Sequence, residues 1–206
     1  MKLHTLSLGA LSTNCYILAD EASGKAVVID APDNADKILA FLNQEGYTLT
    51  EIILTHGHFD HILALEALKK ATGAPVSIHQ NGAVSLNDGI NNLCHYVGMD
   101  WTPVQPDRLL HEGDTITVGN LSFQVLHTPG HTSDCICLYG EGIAICGDTL
   151  FQGSIGRVDH PTGNMQQEID SIQQKLMPLP DETVVYPGHG PSTTIGRERR
   201  ENPYLQ

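Results

Sequence analysis

Three imidazoles and one carboxylate fall within six residues of Thr55-His56-Gly57-His58-Phe59-Asp60-His61. Imidazole nitrogen and carboxylate oxygen are donors that suit zinc and other divalent first-row metals. In a tight turn, side chains one or two positions apart can converge on one point, and the flanking sequence supplies such a turn. Glu51-Ile52-Ile53-Leu54 reads as a buried strand, and Ile62 to Lys70 carries apolar residues at helical spacing. The alternative is a histidine-rich loop facing solvent, but this pattern directly after a buried strand is far more specific than a lone histidine. Three more donors stand at strand ends beside glycine or proline: His131 in His127-Thr128-Pro129-Gly130-His131, Asp148 in Cys146-Gly147-Asp148-Thr149, and His189 in Tyr186-Pro187-Gly188-His189. Each can project from one sheet rim toward the same place, and the small neighbours allow close backbone approach to a metal or ligand.

The elements that must position these residues follow from the apolar patterning. Lys2 to Leu8 and Asn14 to Leu18 alternate polar and apolar residues, and Ser23-Gly24-Lys25 turns the chain into Ala26 to Ile29, an antiparallel series. Ala35 to Glu45 places Ile38, Leu39 and Leu42 on one helical face before Gly46. The helix after the histidine turn ends at Thr72-Gly73-Ala74-Pro75, and Val76 to Ile78 resumes strand character. Residues 81–107 read as a loop-rich connection with room for one helix. Thr115 to Val118, Leu121 to Leu126, Cys135 to Tyr139 and Ile143 to Cys146 form the hairpins of a second sheet. A helix over Asn164 to Leu176, with Ile169, Ile172 and Leu176 inward, precedes a last strand, Thr183 to Tyr186. Neither half alternates strictly between strand and helix, so two packed sheets with helices outside fit better than one doubly wound sheet.

Composition narrows the function classes. With 206 residues and 40% hydrophobic content, the chain suits one well-buried domain. A net charge of −13, with 11 Lys and Arg against 24 Asp and Glu, argues against a nucleic-acid partner. Arg197, Arg199 and Arg200, interrupted by Glu198 and followed by Glu201, read as a solvated terminal face. Met1 to Ile17 lacks the pattern of a secretory signal, and no apolar run approaches the roughly 20 residues of a membrane span, so a cytoplasmic chain without a membrane partner is expected. Five cysteines without Cys-x-x-Cys spacing fit reduced core thiols. Cys135 and Cys137 should share a strand face, and Cys146, two residues before Asp148, could lie near the site. His4, His79, His95 and His111 lack ligand neighbours and read as surface or satisfied core residues, while His160 in the loop after Asp148 stays open. Asp30, at a strand end, would either hydrogen-bond the histidine turn or cap the next segment.

From Asn14-Cys15-Tyr16 through Ile29-Asp30 to His189, the ordered motifs resemble the metallo-β-lactamase superfamily, and within it the short-form glyoxalase II-like, or hydroxyacylglutathione hydrolase-like, proteins. The resemblance implies an α/β fold of the four-layer αβ/βα sandwich type, two mixed sheets with helices outside, spanning 1–206 as a single domain. It implies two divalent metal ions in the cleft between the sheet edges, zinc first, with iron or manganese also accepting such donors. His56, His58 and His131 would hold one ion, Asp60, His61 and His189 the other, with Asp148 bridging; His127 is then structural. The implied reaction is hydrolysis of a small-molecule thioester such as S-lactoylglutathione by a metal-bridging hydroxide, which the catalytic residue Asp60 would also orient.

Substrate selectivity points elsewhere. Thr149 to Arg157 resembles the segment carrying a basic substrate-binding residue in glyoxalase II, and Arg157 falls at that residue's place. Its guanidinium could clamp a glutathione carboxylate or pair with Asp159, which stands where the family pattern has an aromatic. Typical glyoxalase II enzymes add a C-terminal helical substrate-binding domain, whereas this sequence ends 17 residues after His189 and none is expected. The short architecture also resembles persulfide dioxygenases, mononuclear iron enzymes, and a non-catalytic metal-binding protein is the remaining alternative.

Overall fold

In the computed structural model, which describes residues 1–206, β1 (Lys2–Leu8), β2 (Thr13–Asp20) and β3 (Lys25–Ile29) pair antiparallel in that order. After α1 (Ala35–Glu45), β4 (Thr48–Ile53) joins β3 in parallel. The short α2 (Phe59–Ile62) and α3 (Leu65–Thr72) lead to β5 (Val76–His79), and β6 (Arg108–Leu110) completes a mixed six-stranded sheet ordered β1 to β6. The second sheet is built from β7 (Thr115–Val118), β8 (Leu121–His127), β9 (Ile136–Gly140) and β10 (Ile143–Gly147), each antiparallel to the next. A small hairpin of β11 (Leu150–Phe151) and β12 (Ser154–Ile155) and then α4 (Met165–Ser171) follow. Finally β13 (Val184–Pro187) pairs in parallel with β10, β14 (Thr193–Thr194) lies on its outer edge, and α5 (Ile195–Glu201) ends the fold.

Alternation along the strands explains the layering. On β2, Cys15, Ile17 and Ala19 face α1 and α3, in a core shared with Ile38, Leu42, Leu65 and Leu68. The intervening Tyr16 and Leu18 face the other sheet and meet Phe123, Val125, Ile136 and Ile145. Behind the second sheet, Cys137, Ala144 and Val185 pack under Ile172, Leu176 and Ile195. Period-two side-chain placement with both faces apolar thus produces four layers and three cores, the expected αβ/βα sandwich. Phe123 is fully buried at the inter-sheet centre, where truncation to alanine costs about 3–5 kcal/mol. No helix is long and apolar enough to cross a membrane.

Several local readings change. The helix expected over Ile62 to Lys70 is two helices, broken where the Ala64 N–H bonds the Ala31 carbonyl, while the Ala31 N–H bonds that of His61. The end of β3 therefore takes over backbone groups that a continuous helix would have used. The expected helix over Asn164 to Leu176 starts with Asn164 as a side-chain cap and finishes in a π-helical turn, Ile172–Leu176. Residues 81–107 hold 3₁₀ turns at their start and at Cys94–Val97. At the C-terminal face Glu198 is buried, accepting the Thr193 hydroxyl and the Gly153 N–H, while its arginine neighbours stay outside. Cys135 lies just before β9 and contacts Thr132, whereas Cys137 faces the helices.

Strand direction places the functional residues. β4 runs parallel to β3, and β13 runs parallel to β10; β8, two antiparallel steps from β10, runs the same way. The C-terminal ends of these strands therefore open on one rim, where open α/β sheets place their ligands. An isolated bridge between Thr13 and His189 and a hydrogen bond from the Asn14 N–H to the Gly188 carbonyl, 2.7 Å, close the two sheets against each other there.

Candidate metal centre

All seven expected donors come together at this rim. His56, His58 and His131 converge in one group, Asp60, His61 and His189 in a second, and His56, His61 and Asp148 in a third that links them. Asp148 lies between the sets: its Oδ2 is 3.7 Å from His131 Nε2 and 3.6 Å from His189 Nε2, and its Oδ1 is 3.4 Å from His61 Nε2. Asp60 Oδ2 stands 3.1 Å from His189 Nε2 and 3.6 Å from His61 Nε2. The approach is close enough that a β-carbon at position 188 would lie 2.1 Å from Asp148 Oδ1, so glycine is required there.

Four of the five imidazoles are oriented by their other nitrogen. His61 Nδ1 lies 2.8 Å from Asp30 Oδ2, and His131 Nδ1 lies 2.6 Å from the Arg157 carbonyl. His56 Nδ1 contacts the Thr55 hydroxyl at 3.2 Å, and His189 Nδ1 the Leu11 carbonyl at 3.2 Å. Such outward hydrogen bonds fix the tautomer and aim the remaining lone pair inward. Asp30 thus serves the histidine turn, accepting also the Thr55 N–H and hydroxyl at 2.8 Å each. It does so at a positive φ of 60°, a strained backbone for a non-glycine residue, of order 1–3 kcal/mol.

The electrostatics fit cations. Burial, reinforced by the neighbouring imidazoles, drives His56 well below the usual histidine range and His58 down to about 3. Burial also lowers His131, against the pull of Asp148. This set offers neutral nitrogens. At His61 burial acts in the same direction, but Asp148, Asp30 and Asp60 override it and raise the imidazole well above its usual range. Burial would raise Asp60 and Asp148, yet His61 and the adjoining imidazoles hold both carboxyls low, so they stay ionised. Buried His56 Nε2, His61 Nε2 and Asp148 Oδ1 have no hydrogen-bond partner within the chain. Orphaned buried polar atoms are costly, and divalent ions at these positions would satisfy them.

The metallo-beta-lactamase superfamily profile matches residues 8–189, from the end of β1 through the last histidine donor. The chain belongs to the metallo-beta-lactamase superfamily. Among its relatives, the hydroxyacylglutathione hydrolase GloC of Haemophilus influenzae is 33% identical over 209 residues, covering 100% of this chain and 98% of that one. The probable metallo-hydrolase YqgX of Bacillus subtilis is 34% identical over 208 residues, covering 100% and 98%. Of the solved structures, the B3 metallo-beta-lactamase BLEG-1 superposes with a TM-score of 0.94 at 37% identity over 100% of both chains. ETHE1 from Myxococcus xanthus gives 0.82 at 38% identity over 98% and 84%, and TTHA1623 in a di-iron-bound form gives 0.88 at 36% over 98% and 100%. For a metallo-beta-lactamase superfamily chain, this His and Asp cluster is the metal-binding site.

A cleft of about 810 Å³ opens above the donors. Arg157 lies on its rim, 70% exposed, with its guanidinium held by Asp159: Nε donates to Oδ1 at 3.0 Å and Nη2 to Oδ2 at 2.8 Å. Asp159, one of the two partners open to Arg157 from its sequence, is thus in contact with it. His160 also lines the cleft, its ring edge-on to His58 with centroids 5.3 Å apart. Cys146 is buried, and its contact with Cys137 together with burial pushes its thiol up, which leaves it unreactive. Thr13 and Glu168 were not readable as site residues. The Thr13 hydroxyl donates to Asp60 Oδ2 at 3.0 Å across 47 positions, and only its place beside Asn14-Cys15-Tyr16 hinted at it. Glu168 on α4 is buried, its carboxyl pushed up to about 8 by burial, and its Oε2 accepts the His131 N–H at 2.7 Å. In sequence it looks like one more charged residue of an amphipathic helix.

Proposed function

We propose that the chain is a dinuclear metal-dependent hydrolase of thioesters such as S-lactoylglutathione. The observation that carries this reading is the Asp148 carboxylate standing between two complete donor sets. His56, His58 and His131 would hold one ion and Asp60, His61 and His189 the other, with Asp148 shared. Bound there, two divalent cations supply hydroxide at neutral pH and Lewis acidity toward a carbonyl oxygen. The residues do the rest. Asp60, ionised and fixed by the Thr13 hydroxyl, faces the cleft and can orient the nucleophile by accepting its hydrogen bond. His131 and His58 hold the opposite wall through the Arg157 carbonyl and their mutual contact of 2.9 Å. The similarity to GloC, whose name is hydroxyacylglutathione hydrolase, supports the thioester class. Zinc suits the nitrogen-rich set, and the di-iron form of TTHA1623 keeps iron beside it.

The test is metal analysis of the purified protein together with S-lactoylglutathione hydrolysis, before and after chelation and zinc return. Asp60→Ala is expected to abolish turnover. Near-normal rates in Asp60→Ala would refute the dinuclear reading. A second reading, a mononuclear iron oxygenase of persulfide dioxygenase type, is favoured by the 38% identity to ETHE1. It expects one iron per chain and oxygen consumption with a persulfide, with no thioester cleavage. The likeness to BLEG-1 adds a β-lactam to the substrate panel.

A further inference from the structure

We infer that the cleft selects thioesters with an apolar acyl group on a leaving group free of carboxylates, an inference that rests on the hydrolase reading above. Beyond the metal donors, one side of the cleft is apolar, with Leu11, Phe59, Leu93, Tyr96, Val97 and Phe151 lining the opening, while Arg157, Asp159 and His160 stand on its rim. Leu11, Tyr96 and Val97 are 54%, 63% and 46% exposed, and this clustering of exposed large apolar side chains at one opening marks a binding surface.

The apolar ledge is built in, not a loose loop. Asn92 is fully buried, and it ties the Cys94–Val97 turn to the histidine motif. Its carbonyl accepts the Phe59 N–H at 2.8 Å, its Nδ2 donates to the Ser85 carbonyl at 3.0 Å, and its Oδ1 accepts the Cys94 N–H at 3.0 Å. Leu93 is held at a φ of 72°, in the left-handed region that a leucine rarely occupies, and this turns Tyr96 and Val97 toward the opening. An acyl chain entering over Phe59 would therefore meet a fixed apolar surface before its carbonyl reached the donors.

Charge works against the alternative. Arg157 is the only lysine or arginine lining the cleft, and Asp159 already takes it with two parallel hydrogen bonds. A glutathione carboxylate could recruit Arg157 only by displacing one carboxylate with another, leaving Asp159 unpaired beside an anionic substrate. The net charge of −13 adds long-range repulsion of anions. The reaction itself is unchanged: water adds to the carbonyl carbon, the C–S bond breaks, and a carboxylic acid and a thiol leave.

Four thioesters separate the two halves of the inference: octanoyl and lactoyl groups, each on N-acetylcysteamine and on glutathione. The metal-loaded protein is expected to show kcat/KM for octanoyl-N-acetylcysteamine at least about tenfold above that for S-lactoylglutathione, a gap that burial of about two of the octanoyl chain's extra methylenes can supply. Tyr96→Ser should shrink the octanoyl preference, and Asp159→Asn, by freeing Arg157, should raise the glutathione thioesters relative to the N-acetylcysteamine ones. Equal or better turnover of S-lactoylglutathione would overturn the inference and leave the hydrolase reading standing. An unchanged glutathione ratio in Asp159→Asn would overturn its leaving-group half. If none of the four is cleaved, the hydrolase reading fails, and calorimetry with two thioethers decides the cleft preference alone. Tighter binding of S-octyl-N-acetylcysteamine than of S-methylglutathione supports it, and equal or weaker binding overturns it.

Discussion

Two groups of histidines sit at neighbouring strand ends on the same rim, and only one is arranged for a metal. His79, at the end of β5, and His127, at the end of β8, stack with ring centroids 3.9 Å apart and planes 14° from parallel. Burial does not distinguish His79 from the metal cluster, since it is only 2% exposed. The use of the nitrogens does. His79 Nδ1 accepts the Asn81 N–H at 3.3 Å, and His127 Nε2 contacts the Ser133 carbonyl at 3.0 Å; neither ring belongs to a convergent group of three donors. In the metal cluster Asp30, the Thr55 hydroxyl and backbone carbonyls hold outward nitrogens, the inward Nε2 atoms of His56 and His61 are unpaired, and carboxylates stand among the rings. A histidine becomes a ligand candidate through its second nitrogen and a nearby carboxylate, more than through burial or spacing.

The largest test of that contrast is Asp148→Asn. Removing the charge between the two sets should lower the metal content below two per chain and reduce turnover by roughly a thousandfold or more, read by elemental analysis and thioester hydrolysis. Full metal content with normal activity would erase the distinction drawn for the carboxylate. Next comes Asp30→Asn, which leaves all seven donors in place but removes the charged acceptor at His61 Nδ1. Metal affinity or activity should fall about 10- to 100-fold, measured by competition with a chelating dye. Thr13→Val, which deletes one hydroxyl bonded to Asp60, should cost about tenfold in kcat with little change in metal content, and Thr13→Ser should restore it.

How far the sequence revealed this site depends on the range over which each signal acts. The seven donors sit in short motifs directly after apolar strands, and the alternation of Cys15, Ile17 and Ala19 with Tyr16 and Leu18 contains the layering. Those signals are local. Thr13 on β2 meets Asp60 on α2 across 47 positions, and Glu168 on α4 meets the His131 backbone across 37, through tertiary packing within each half, and nothing in their neighbourhoods marks the partner. The apolar ledge was hidden for another reason. Residues 81–107 follow neither the helical nor the strand period, and their order comes from Asn92 and a left-handed leucine. The break before α3 is similar, since its cause is the Ala31 carbonyl, just past the end of β3. Arg157 carried two readings in sequence because both partners, Asp159 and a substrate carboxylate, use the same chemistry.

The smallest expected effect concerns the stacked pair itself. Burial, with the adjoining His127, lowers His79 to about 4. In the unfolded chain the same imidazole titrates near 6.5, so as pH falls through that value the unfolded state takes up a proton first. The contribution is complete above about pH 6.5 and is lost progressively down to about pH 4. With the stacked His127 only half-buried beside it, about 1–2 kcal/mol is at stake across that window. His79→Phe keeps a ring against His127 and removes the titrating group. It should leave metal content and turnover unchanged and flatten the acid limb of stability, read as the difference between urea midpoints at pH 7 and pH 5. Lost metal in this variant would place His79 with the ligand cluster, whereas an unaltered acid limb would mean that the stacked pair carries none of the pH dependence and that its role is packing alone.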